Sequence, residues 1–122
     1  MVNIFDDLQE LNIPCYEEGN APQELPDEYY TISEDYTSDN LAADNQTKQI
    51  LYEFTIKYYT KDANTIYSGL LKALRTLKNK GYLTSGVGYY NNTYKNTWFS
   101  RQADIKKIEY IENMEEIFNE TI

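Results

Sequence analysis

Histidine is absent from this 122-residue sequence. Its absence removes the commonest general base and the commonest metal-ligating side chain, and an imidazole-based serine triad goes with it. Cysteine occurs once, at Cys15, so no internal disulfide forms. Beside an extended stretch, Cys15 reads as a small buried hydrophobe rather than a reactive thiol. No apolar run is long enough to cross a bilayer, which predicts no membrane partner. Met1 to Asp7 bring acid where a signal peptide has basic residues, and no apolar stretch follows. That pattern predicts assembly in a cytosol. Residues 1–47 lack lysine and arginine altogether.

The charge that is present is laid out in blocks. The chain carries −9 overall, with −12 in residues 1–47, +8 in residues 48–107 and −5 in residues 108–122. Such blocks either neutralise one another inside one molecule or attract copies of the chain. Thirteen tyrosines suit half-buried sheets and interfaces, where the ring is dry and the hydroxyl finds a partner. The length fits one domain, residues 1–122, with a modest core. There is no internal repeat and no low-complexity segment.

The strongest local signal runs from Gln49 to Lys80. Ile50, Tyr52, Phe54, Ile56 and Tyr58 alternate with Glu53, Thr55 and Lys57, which predicts a half-buried strand. Asp62 then offers a helix cap. Ile66, Leu70, Leu74 and Leu77 recur at helical spacing, with Leu71 widening the stripe. Arg75, Lys78 and Lys80 crowd the negative end of the helix dipole, and Gly81 ends the helix. The aromatic strand face and the leucine stripe predict a sheet with a long helix packed on it.

The flanking segments are shorter. Asn3 caps a predicted helix to Leu11, with Asp6 and Asp7 in its first turn. Ile13 to Tyr16 is extended by the restriction before Pro14. Residues 17–27 read as a loop, broken by Gly19, Pro22 and Pro26. Tyr29 to Tyr36 alternates as a second strand, with Tyr30, Ile32 and Tyr36 on one face and Glu34 intruding there, as at an edge or a subunit contact. Residues 37–46 form a polar acidic loop too long for a tight turn. Tyr82-Leu83 starts a short strand, and Tyr89 to Thr97 reads as a hairpin tip. Thr97 to Ile111 forms the last strand. Phe99, Ala103 and Ile105 share one parity there and Ile108 and Tyr110 the other, which predicts a β-bulge near Lys106-Lys107. Residues 113–122 read as either a small helix or a frayed acidic tail. The fold class is α+β: a mostly antiparallel sheet of four to five strands, a long helix on one face and short helices at both termini.

Catalytic constellations do not assemble from these residues. The carboxylates lie in loops without a pair singled out for glycoside chemistry. Asp39, Asn40, Asp44 and Asn45 lack the residue order and terminal Glu of a calcium loop. Gly86-Val-Gly88 opens no helix and is not a dinucleotide fingerprint. The expectation is a protein that is not an enzyme and takes no cofactor or metal. Lys95, Trp98, Arg101, Lys106 and Lys107 mix bases with aromatics as single-strand binders do, against an acidic pI near 4.4.

The run Ile13-Pro14-Cys15-Tyr16-Glu17-Glu18-Gly19-Asn20-Ala21-Pro22, followed by Leu25-Pro26-Asp27-Glu28-Tyr29-Tyr30-Thr31, resembles the "I-P-v-Y-x-x-g-x-A-P…f-P-Y-I-T" opening of small phage tail completion proteins. These are the tail terminator and head–tail joining components of long-tailed phages and prophages of Gram-positive bacteria. An acidic loop, a long strand like Ile50–Thr60 and a helix like Asn64–Lys80 also match that layout. The Asn-rich Tyr89–Thr97 stretch and the acidic tail after Tyr110 depart from it. The resemblance implies a virion protein that forms a ring, commonly a hexamer, at the head-proximal end of the tail. Such a ring stops tail-tube assembly and meets the head connector. Its partners are then itself, the tail-tube protein and the head-completion protein, with DNA only as passing cargo.

Head-to-tail rings need two complementary patches on one subunit. Asp35, Asp39 and Asp44 are the expected acidic side, and Arg101, Lys106 and Lys107 the basic side. Excess acid lining a ring would also let DNA pass without adhering. The alternative is a monomeric acidic inhibitor that mimics DNA and occupies a nucleic-acid-binding protein.

Overall fold

The computed structural model describes residues 2–41, 48–84, 86, 88–91 and 98–111. The fold is α+β. Helix α1 spans Ile4–Leu8, with a 3₁₀ turn to Leu11. Strands β1 (Cys15–Glu17) and β2 (Glu28–Leu41) follow. Strand β3 (Lys48–Thr60) leads through a 3₁₀ turn into helix α2 (Ile66–Asn79). Strands β4 (Leu83–Thr84), β5 (Tyr89–Asn91) and β6 (Phe99–Ile111) complete the sheet.

The helices begin and end on side chains that the sequence singles out. Asn3 Oδ1 accepts from the Phe5 and Asp6 amides, and Asn12 closes the turn in the left-handed region at φ 57°. Asp62 Oδ1 accepts from the Asn64 amide at 2.9 Å. At the far end of α2, Gly81 has φ 91°. Its amide bonds to Lys78 O, and that of Tyr82 bonds to Leu77 O. This pair of bonds satisfies carbonyls that the helix leaves open.

The sheet order is β1-β2-β3-β6-β4, with β5 also paired to β6. β1 runs parallel to β2, in register Cys15 to Tyr30; every other pairing is antiparallel. The sheet therefore has six described strands rather than four to five. The added one is β5, which falls where the expectation placed a hairpin tip. It is too short to show a period, and only its pairing to β6 defines it. The expected C-terminal helix lies outside the described residues.

One face of the sheet packs on the helices. Tyr30, Ile32, Phe54, Ile56, Tyr58, Ala103 and Ile105 meet Leu70, Ala73, Leu74 and Leu77 of α2, with Ile4 and Leu8 of α1 closing one side. Each fully buried tyrosine of this core places its hydroxyl on a defined acceptor. Tyr30 donates to Gly69 O at 2.6 Å, Tyr58 to Glu28 and Tyr82 to Asp7 at 2.6 Å. A buried phenol costs little once its hydroxyl is paired. Gly69 permits this packing, because a Cβ there would strike the Tyr58 ring.

Three expectations about strand geometry change. The bulge lies in β2, between Glu34 and Tyr36, whereas β3 and β6 pair without a break from Lys48–Ile111 to Thr60–Phe99. Tyr36 consequently shares the outer face with Glu53, not the inner face with Ile32. The parity change at Ile108 and Tyr110 has no bulge behind it. These two residues point to the outer face, opposite Leu51 and Gln49. Finally, residues 37–41 belong to β2 rather than to a loop, because continuous pairing to Lys48–Glu53 overrides their polar composition. Residues 42–47, the rest of the expected loop, lie outside the described residues.

Candidate interaction surface

β2, β3 and β6 are long, and the helices cover only part of them. Past Phe54 the three strands run on together as an arm: Tyr36–Leu41, Lys48–Glu53 and Lys106–Ile111. β1 pairs only with Tyr30–Ile32, and β4 reaches β6 only at Ile105 and Lys106. Among the described residues, no strand pairs with β2 beyond Ile32 on its β1 side or with β6 beyond Lys106 on its β4 side.

The outer face of the sheet carries three bands. At the helix-covered end, Tyr29 stacks on Tyr59 at 4.8 Å, while Tyr16 and Trp98 meet Tyr29 edge-on. Lys61 sits over the Trp98 ring at 5.2 Å. In the middle lies a polar band. Thr55 Oγ1 faces both Asp35 and Asp104, Ser33 donates to Asp35 at 2.9 Å, and Lys57 pairs with Glu18 at 2.7 Å. That ion pair raises the Lys57 pKa. On the arm the face is mixed, with apolar side chains beside the Glu53 and Lys106 pair: Leu51 and Ile108 are half-buried, Tyr36 is 53% exposed and Tyr110 is 61% exposed.

The six expected interface residues separate in space. Asp35 lies on the outer face at the bulge, and the backbone of Asp39 pairs with Ile50. Asp44 lies outside the described residues. Lys106 is on the outer face, 3.2 Å from Glu53. Arg101 and Lys107 project to the opposite, inner side and serve the fold. Arg101 donates to Gly88 O at 2.9 Å and lies over Tyr67 of α2. Lys107 donates to Lys80 O at 2.6 Å and lies over Tyr82. It is thus a cation at the C-terminal end of α2, where the helix dipole favours one. The three bases do not form one patch.

Other side chains with a chemical signal in the sequence are also placed. Burial pushes the Cys15 thiol up to about 11, the direction of an unreactive cysteine. Burial, then the charge of Glu109 and a hydrogen bond to it, pushes Tyr52 up to about 12. Among the described residues, no three acids or Cys gather closely enough to hold a metal ion. Trp98 is 9% exposed, so its ring is taken by Tyr29 and Lys61 rather than offered for stacking.

Sequence reasoning does not single out Tyr36, Leu51, Ile108 and Tyr110 as a surface group. The signal is present in the alternation, since Ile108 and Tyr110 stand out of phase with Ile105. Only the uninterrupted register with β3 shows that this places apolar groups on the outer face. No protein-family model matches the chain, and no curated protein matches it.

Proposed function

We propose that this chain is a structural virion protein that forms a ring at the head-proximal end of a phage tail, ending tail-tube assembly and joining the tail to the head connector. The observation that carries this reading is the arm, which has two different lateral strands. The sequence of β2 carries Glu34 and Asp35 at the base of the arm and Asp39 on it, and that of β6 carries Lys106 on its outer face. Two unlike, complementary sides on one subunit are what a closed head-to-tail ring requires. The two words that resemble tail completion proteins also lie side by side, as Cys15–Glu17 pairs with Tyr30–Ile32. In such a ring Lys106 serves the basic side, and Arg101 and Lys107 act inside the subunit. Surplus acid facing the channel would let DNA pass without adhering.

Sedimentation and electron microscopy of the purified protein, alone and with tail tubes of the same phage, test this reading. The expected result is an annular particle several times the 14.4 kDa chain mass that caps tubes at one end. Tubes that grow unchecked and bind none of the protein contradict it.

A further inference from the structure

We infer that the sheet continues from one copy of this chain to the next, the arm edge of β6 in one copy pairing in parallel with the arm edge of β2 in its neighbour. The inference rests on the self-association in the reading above, not on the phage role.

Backbone direction makes both edges competent. The Tyr30 amide donates to Pro14 O and Ile32 O accepts from Glu18, so these even residues of β2 turn toward the β1 side. Strand alternation carries that direction to Glu34 and, past the bulge, to Thr37 and Asp39. The same alternation through β3 turns Ile108 and Tyr110 of β6 toward the β4 side. β2 and β6 are both antiparallel to β3, so they run the same way. A neighbour rotated about an axis along the strands therefore presents β2 to β6 in parallel and keeps the same face outward.

Charge and shape favour this pairing over β2 against β2. β2 against β2 would set Glu34 and Asp35 close to their own copies. Charged residues commonly block edge association. The β6 stretch beyond β4 holds Lys107 and Glu109, whose charges balance, so it meets β2 without that repulsion and the unlike pairing is favoured over β2 against β2. On the outer face the unlike pairing brings Ile108 and Tyr110 of one copy beside Tyr36 of the next, covering side chains that are exposed in the monomer. The β6 stretch beyond β4 is residues 107–111, about 16 Å of strand, and β2 offers a longer stretch opposite it.

Thr37→Pro and Ile108→Pro each remove one edge amide donor, with proline placed where a sheet edge tolerates it. Thermal unfolding checks that each variant folds; if one does not, Asp39→Pro or Tyr110→Pro replaces it. Analytical ultracentrifugation of the full chain is then read for each variant alone and for an equimolar mixture. The expected result is that each variant alone associates about ten- to a hundredfold more weakly than the natural sequence. The mixture should form a dimer that grows no further, because one intact β6 edge meets one intact β2 edge. A variant that alone assembles like the natural protein, or stops alone at a dimer, overturns the inference. So does a natural protein that stays monomeric at millimolar concentration. Assembly that survives both prolines removes the edge pairing and leaves the ring reading standing. Complementing variants with no effect on tail tubes remove the phage role and leave the edge pairing.

Discussion

The two halves of the sheet are built from the same three strands and differ in what completes them. In the helix-covered half, inward side chains are buried, tyrosine hydroxyls end on named acceptors, and the outer aromatics cover one another. In the arm, both lateral edges extend past their partner strands among the described residues, and Tyr36 and Tyr110 stand exposed. The first half accounts for the stability of the subunit. The second has the features of a surface awaiting another chain. Burial within one copy thus marks the residues that hold the fold together, Tyr52 on the arm among them, and the exposed outer face of the arm is where the contact proposed between copies falls.

Strong alkali should have the largest effect, and it acts on the buried core, to which Tyr52 on the arm's inner face also belongs. Burial foremost raises the pKa of Tyr30, Tyr52, Tyr58 and Tyr82; for all but Tyr30, a hydrogen bond to a carboxylate adds to the rise. For Tyr82 the carboxylate is Asp7. The folded state holds these protons above about pH 10, where the unfolded chain releases them. Their contribution is therefore fully present below about pH 10 and is lost as pH rises, through about 12 for Tyr52 and beyond that for Tyr30 and Tyr82. Urea midpoints measured from about pH 8 to about pH 12 should be level at first and then fall steeply. A midpoint that stays level across that whole range would refute the buried-phenol core.

Leu77→Ala should come next, costing about 2–5 kcal/mol as a fully buried side chain is replaced by a cavity. Gly69→Ala should cost about 1–3 kcal/mol, because the added methyl meets the buried Tyr58 ring across the helix–sheet contact. Chemical denaturation reads both. A Gly69→Ala protein as stable as the natural one would show that the helix can lift off the sheet. Lys107→Met should cost about 1 kcal/mol through loss of the cation at the end of α2 and over Tyr82.

The smallest stability effect belongs to the arm. Tyr110→Ala should change monomer stability by no more than about 0.5 kcal/mol while weakening self-association. A large loss of monomer stability would erase the distinction between the two halves.

Legibility in the sequence follows the same division. The inward face of β3, the leucine stripe of α2, the caps at Asn3 and Asp62 and the stop at Gly81 all follow from period and local chemistry, because each acts within a few residues. Gly69 is not legible: its role depends on a tyrosine from another strand. Lys107 reads as a surface base and instead ends a helix that precedes it in the chain, a contact no local pattern encodes. The arm is hidden for a related reason. Residues 37–41 look like loop because they are polar, and their strand conformation comes from pairing with β3. The parity change points to a bulge in β6, but the bulge lies at Asp35 in β2. Either location shifts the phase of side chains, and only register distinguishes them.

Amide hydrogen exchange followed residue by residue from dilute to concentrated protein tests the central claim most directly. The amides of Thr37, Asp39, Ile108 and Tyr110 should exchange fast in dilute solution and become protected as copies associate, while those of Phe54, Ile56 and Ile105 stay protected throughout. Association that leaves the four arm amides exchanging as fast as before would contradict the edge pairing.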